Sequence, residues 1–445
     1  MRFKGAKGTP DTAAELAAAL LLSAALLAGG GSRGAGDLVV HLAASPALLL
    51  AAMRWRWAPA SRAQRAVALV CVGAIALAAL QLLPLPPSLY SLLPGRETVL
   101  ADLAQAGQPH GWLPLTLDRW GTVRALLAMM VFASFWALAC TLTHAARLRL
   151  LKLALVVATL TALLGYAQSA AGTYSQLRFY DYHHPIGAIG LFANRNHFAC
   201  LMAMLLPFAI ALGVQSQALR RVPAALAWYS VAAMLFLAAA LSFSRTGLAL
   251  ACTAALAGLL LLTSREGVAS NLGRIRRWAP LASIAVAIAG IAVYAWDGIS
   301  QRLQQDPLED LRWQYLRYGW DAARAYLPLG SGWGSFKSVY APFEPVGSMR
   351  EVFALHAHND ILETLIEAGL PGFVLLLTVL VTVICVTRKN LIDRTFHGPI
   401  LGAAAIAAFV PLAHSIVDYP LRTHGVAVVF ALVLSFLLTN ASDAR

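Results

Sequence analysis

The stretch His356-Ala-His-Asn-Asp-Ile-Leu-Glu-Thr-Leu-Ile-Glu-Ala-Gly-Leu-Pro-Gly-Phe-Val-Leu-Leu-Leu-Thr-Val-Leu-Val-Thr-Val-Ile-Cys-Val-Thr387 begins as a polar island and ends as an uncharged apolar run. The run 371–387 has the length of a membrane-crossing helix. The island sets two imidazoles, an amide and three carboxylates at its rim, where such groups are costly unless they have partners or work to do. A helix drawn through the island would put His356, Asp360 and Glu363 on one face, with Asn359 and Glu367 beside them. That face can handle protons.

Outward from this stretch the chain stays apolar. Of 445 residues, 59% are hydrophobic and 12% charged, with a mean hydropathy of +0.67. Soluble proteins carry about a quarter charged residues, so the composition predicts an all-α polytopic membrane protein. Windows long enough to span a bilayer recur at 13–30, 37–53, 66–83, 121–142, 149–170, 195–213, 223–241, 247–263, 279–296, 371–387, 399–413 and 424–439. The expectation is a single membrane domain over 1–445 with about 12 helices. A large outer loop, 297–370, separates the ninth helix from the tenth.

The net charge of +13 invites a nucleic-acid reading, but its distribution argues against one. With the N-terminus inside, the inner segments 1–12, 54–65, 143–152, 214–222, 264–278, 388–398 and the C-terminal tail hold 20 of the 34 Lys and Arg. Counting Glu15, they hold only 5 of the 21 acids. This is the positive-inside asymmetry, clearest at Arg54/Arg56/Arg62/Arg65 and Arg274/Arg276/Arg277. Removing the first helix as a signal peptide would invert that parity, so it is expected to remain. Cys71, Cys140, Cys200, Cys252 and Cys385 all fall within predicted spans, without a Cys-x-x-Cys pair, and read as small core residues.

The predicted outer side carries the chemistry. Its first long segment, 84–120, is Pro-rich. In 297–370, the stretch 308–327 interleaves Arg312, Arg317 and Arg324 with aromatic residues, which suits a helix at the membrane interface. Gly330-Ser-Gly-Trp-Gly-Ser-Phe336 is a flexible connector and only a weak phosphate-loop match. Four polar groups share this side: Asn194-Arg-Asn-His197, Ser242-Phe-Ser-Arg-Thr246, His356–Asp360 and His414-Ser-Ile-Val-Asp-Tyr-Pro-Leu-Arg422. Their convergence points to one membrane-level site. Each also has a plainer reading. Arg195 and Arg245 can anchor lipid phosphates, Ser242, Ser244 and Thr246 can cap a helix, His197 and His414 can be structural, and Asp418 and Arg422 can simply pair.

The pattern His358-Asn-Asp-Ile-Leu-Glu…Glu-Ala-Gly-Leu-Pro-Gly372 resembles the signature of the O-antigen ligase and polymerase superfamily of bacterial membrane glycosyltransferases. Asn194-Arg-Asn-His-Phe-Ala199, Ser244-Arg245, Gly330–Phe336 and His414…Asp418…Arg422 support it, so the resemblance spans roughly 190–425. His356 and the full Asn-Arg-Asn-His pattern look closer to exopolysaccharide and polymerase-like members. The resemblance implies a glycan donor on undecaprenyl pyrophosphate and a saccharide acceptor, either lipid A-core or growing polysaccharide. Membrane lipids would be the remaining partners. Transfer would occur at the periplasmic face of the inner membrane, with no cofactor and no metal. It further implies His358 as base with His356 second, and Arg195, Arg245 and, more weakly, Arg422 on the diphosphate. Asn194, Asn196, His197, Ser244, Asn359, Asp360, Glu363, His414 and Asp418 would support them. Histidine suits proton removal near neutral pH and arginine suits diphosphate.

Two other classes compete. A lipid-linked-solute transporter or flippase would place charges at mid-depth and break its helices, whereas here the polar residues gather at one rim. A non-catalytic scaffold of a polysaccharide assembly complex would need no His/Arg convergence. A His-Glu-x-x-His metalloprotease motif does not occur.

Overall fold

The structure is a computed structural model that describes residues 12–31, 34–55, 60–108, 111–173, 175–180, 186–263, 311–349, 354–392 and 398–439. The expected ninth span, 279–296, lies outside the described residues. In chain order the helices are α1 Thr12–Ala28, α2 Gly34–Arg54, α3 Arg62–Leu82, α4 Pro87–Tyr90, α5 Glu97–Gln105, α6 Arg119–Thr141, α7 His144–Ala171 and α8 Arg195–Ala218. They continue with α9 Val222–Leu241, α10 Arg245–Thr263, α11 Leu311–Tyr326, α12 Phe336–Tyr340, α13 Asp360–Ile392, α14 Pro399–His414 and α15 His424–Leu437.

Among the described residues, seven helices are long and apolar enough to cross a membrane: α2, α3, α6, α7, α8, α9 and α13. The apolar helices α1, α10, α14 and α15 are shorter. The chain is thus a multi-pass, mostly helical membrane protein. Local chemistry sets several helix starts. Ser61 and Gln64 form a reciprocal capping box on α3, and Asp118, Thr143 and Asn194 accept backbone N–H bonds at the starts of α6, α7 and α8.

Helix α8 is the axis of the bundle. Its residues Asn196–Val214 are all buried, as expected of a helix that is apolar on every side. It packs against α9, α10 and α14. Long-range contacts define the two ends. At one end Arg54 donates to Thr141, Ser61 to the Leu438 carbonyl, and Arg147 to Ser435 and Thr439. At the other, Ala193 N–H donates to the Gly30 carbonyl and Gly425 N–H to the Gly29 carbonyl. The second end carries the polar groups singled out above.

The Pro-rich segment departs slightly from an all-helical pattern. Pro84–Leu85 and Leu113–Pro114 pair as a two-residue antiparallel ladder around α4 and α5. The larger surprise is in α13. It begins at Asp360, inside the segment expected to be loop, and breaks at Gly369 (φ 59°, ψ −152°) before resuming as the long apolar helix. The break lets the short polar helix 360–368 turn away from the apolar one. Glycine is required there, because L side chains avoid this backbone region and a Cβ would run into the Pro328 carbonyl. Gly369→Ala is therefore expected to destabilise the protein by about 1–3 kcal/mol. The check is thermal unfolding of the purified variant in detergent; an unshifted transition would refute the requirement.

Candidate active site

The island is not one helix. Residues 354–359 are irregular, His358 adopts a positive φ of 50°, and α13 starts only at Asp360. The expected stack of His356 with Asp360 and Glu363 on a helical face is corrected accordingly. Asn359 explains the start: its side-chain oxygen accepts the Leu362 N–H at 2.9 Å, and an asparagine at this position favours helix initiation over continuation. Its amide donates to the Ile416 carbonyl at 2.8 Å, tying the island to the 415–423 loop. The helical part of the expectation stands, since Asp360, Glu363 and Glu367 do share a face.

That face holds Arg422. Its guanidinium lies 3.1 Å from Asp360, 3.0 Å from Glu363 and 2.9 Å from Glu367. The Ser415 hydroxyl also donates to Asp360 at 2.7 Å. The reading of Arg422 and Asp418 as each other's partner is replaced by a different pairing. Burial alone would lower the guanidinium pKa, but the three carboxylates outweigh it and raise the value. This arginine remains charged.

Asp418 is the second hub and is 0% exposed. His358 Nδ1 lies 3.2 Å from its Oδ1, the Tyr419 N–H donates to the same oxygen at 2.9 Å, and His197 Nε2 is 3.7 Å away. Its other oxygen accepts from Asn196 and from Arg312, the latter at 3.4 Å. Burial would raise this carboxyl. The close approach of His197, the contact with His358, and the charge those rings can carry outweigh burial and hold it well below the usual carboxylate range.

Two histidine–carboxylate dyads therefore flank Tyr419. His356 Nδ1 lies 2.7 Å from Glu363 Oε1, and His358 Nδ1 meets Asp418; each histidine side chain is 26% exposed. A carboxylate at Nδ1 favours the tautomer with its lone pair on Nε2, the arrangement a general base needs. His197 is buried between Thr423, at 2.7 Å from its Nδ1, and Asn194, at 3.4 Å from its Nε2. His414 is buried too, and its carbonyl accepts the Asp418 N–H at 3.0 Å, which sets the loop.

The two remaining arginines head helices. Arg195 opens α8 between the capping Asn194 and Asn196, the latter bonded to Asp418. Arg245 opens α10, whose Gly247 abuts Ala199 of α8 so closely that no Cβ would fit. Both arginines thus sit at N-termini of packed helices, where the helix dipole favours anions. Ser242 and Ser244 use their hydroxyls locally. Ser242 accepts from the Ser244 N–H and Ser244 from the Gly247 N–H, so the capping reading applies to them.

The glycine-rich connector is occupied by the protein itself. Ser331 and Gly332 N–H groups donate to the Ile366 and Glu367 carbonyls, Trp333 N–H to Gln81, and Phe336 N–H to the Glu367 carboxylate. It works as a clasp beneath the polar helix. Sequence reasoning missed three participants: Tyr419, Arg312 as a partner of Asp418, and Gln81. Tyr419 lies inside the polar segment 414–422, where an aromatic residue gives no sequence signal of its own. In sequence Arg312 reads as a membrane-interface residue, and Gln81 carries no signal beyond being polar near a span's end. Among the described residues, no group of three or more His, Cys, Asp or Glu is placed to hold a metal ion.

Residues 230–377 match the family model described as O-Antigen ligase. Over that stretch, about a third of the chain, the sequence is similar to the O-antigen ligase family. The matched segment contains both dyad histidines, Glu363 and Arg245, while Asn194–His197 and His414–Arg422 lie outside it and are packed onto it by the fold. An O-antigen ligase domain bears on surface polysaccharide assembly, with a glycosyltransferase-like activity on lipid-linked polysaccharide in general. No curated protein matches the chain.

Proposed function

We propose that this O-antigen ligase-type protein transfers a glycan from undecaprenyl pyrophosphate to an acceptor sugar hydroxyl, on lipid A-core or a growing polysaccharide, at the periplasmic face of the bacterial inner membrane. The observation that carries the reading is the pair of partly exposed histidines, each backed by a buried carboxylate, beside arginine-headed helices at one rim of the bundle. The charge asymmetry of the sequence supports the orientation.

In this mechanism His358 Nε2 takes the acceptor's hydroxyl proton as that oxygen bonds the anomeric carbon. The carbon–oxygen bond to the diphosphate breaks, and undecaprenyl pyrophosphate leaves with the electron pair. Asp418 orients His358 and stabilises the imidazolium that forms. Arg195 and Arg245 neutralise the leaving diphosphate. Arg422, already engaged by three carboxylates, positions the polar helix rather than gripping the donor. No step requires a metal.

The test combines purified protein, an undecaprenyl-pyrophosphate-linked glycan and an acceptor saccharide, with and without EDTA. Product should appear with one undecaprenyl pyrophosphate released per transfer, and EDTA should leave the rate unaltered. Transport of the intact donor across vesicles without product would favour the flippase alternative instead. Within the same assay, Arg195→Lys and Arg245→Lys should fail nearly as badly as the alanine variants, because lysine keeps the charge and loses the bidentate fork. Full activity of both alanine variants, at normal expression, would return these residues to a lipid-anchoring role.

A further inference from the structure

Tyr419 sits where three imidazoles converge. His356 lies against its ring with centroids 3.9 Å apart and planes at 30°. His358 and His197 meet it nearly edge-on, at 5.0 Å and 67° and at 4.8 Å and 82°. Asn194 donates to its phenol oxygen, while burial, and then the negative charges of Asp418 and Glu363, push that phenol up. The ring is neutral and unsuited to proton removal itself.

Its placement nonetheless matters to both dyads. His356 and His358 leave the chain from an irregular segment, and each imidazole is tied through one nitrogen to one carboxylate. A single hydrogen bond does not by itself fix the tilt of a ring; Tyr315 stacks on His358 at 6.0 Å, whereas Tyr419 meets both imidazoles. The two carboxylates also stand on different elements, Glu363 on α13 and Asp418 on the 415–423 loop. Tyr419 touches both rings, and its backbone N–H is bonded to Asp418. Ring and carboxylate thus sit on adjacent residues of one loop, joined by that bond.

We propose that Tyr419 is a positioning residue for glycan transfer, its ring fixing the His358 and His356 imidazoles relative to one another. This rests on the reading of His358 as the base. A residue that only filled space would alter stability and leave turnover per folded molecule unchanged. A positioning residue alters turnover, since small misplacements of a reacting group can cost up to about 100-fold.

The experiment measures kcat and acceptor KM for purified Tyr419→Phe, Tyr419→Leu and Tyr419→Met, normalised to folded, monodisperse protein. Tyr419→Phe keeps the ring plane and loses the Asn194 bond, so its loss should stay within about threefold. Tyr419→Leu should lose about 10–100-fold in kcat with KM changed by less than about twofold. Tyr419→Met, which restores volume without a ring, should fall with it and is read in its place if the leucine variant does not accumulate. Added to His358→Ala, the leucine change should cause no further loss, because its effect runs through that imidazole. Wild-type turnover in the leucine and methionine variants would overturn the proposal. So would a loss that adds fully to His358→Ala, or a phenylalanine variant as impaired as leucine. If His358→Ala is itself active, the base assignment fails; if it is inactive while Tyr419→Leu is active, only the positioning role fails.

Discussion

His358→Ala is expected to lower glycan transfer by about 10²–10⁴-fold, the usual contribution of a base in the rate-determining step. The protein should still reach the membrane, and donor lipid should accumulate. His356→Ala is expected to lose less, because the family signature places its histidine directly before Asn359, which is His358. The geometry makes this a demanding comparison, since both histidines are equally exposed and both are backed by a buried carboxylate. The measurement is product formation from purified donor and acceptor for each single variant and for the double variant. An active His358→Ala protein beside an inactive His356→Ala protein would move the base to the His356–Glu363 dyad. Undiminished transfer by the double variant would remove base catalysis by either ring.

The second large effect is on stability. Arg422→Ala would leave Asp360, Glu363 and Glu367 on one helix face with no cation among them, all three buried. Removing one partner of a buried ion pair typically costs about 3–5 kcal/mol, because the remaining charge keeps its desolvation penalty. The variant should therefore accumulate poorly or unfold at markedly lower temperature in detergent. Arg422→Lys should recover part of the loss, since it restores a charge without the planar fork that reaches three carboxylates. A normal transition for Arg422→Ala would mean that these carboxylates are protonated or solvated in the native protein. In that case the positioning role assigned to Arg422 would lapse.

Much of the site was legible in the chain, for identifiable reasons. The island 356–367 stands out because titratable groups at a membrane rim are rare without purpose. The spacing of Asp360, Glu363 and Glu367 is helical, and the structure keeps them on one face. The location of the helix start was not legible. Only the side-chain bond of Asn359 and the positive φ at His358 separate an irregular island from a helix beginning four residues earlier. The simple pairing of Asp418 with Arg422, four apart, follows a local rule that the fold overrides. Stronger partners arrive from α8, α11 and the island.

The sequence by itself determined the class of the protein, the approximate place of its apolar helices, and the four polar segments proposed here for the site. These are properties of short windows. Hydrophobic length is dictated by bilayer thickness and helical rise, and polarity at a span's edge is visible residue by residue. The tertiary structure alone decided which polar group meets which. Asp418 is bonded to Asn196, Arg312 and His358 across 222, 106 and 60 residues of chain. Arg422 reaches back more than fifty residues to a helix it shares no pattern with. Such choices depend on helix packing around α8, and on the requirement that every buried charge find a compensating partner wherever the packed bundle provides one.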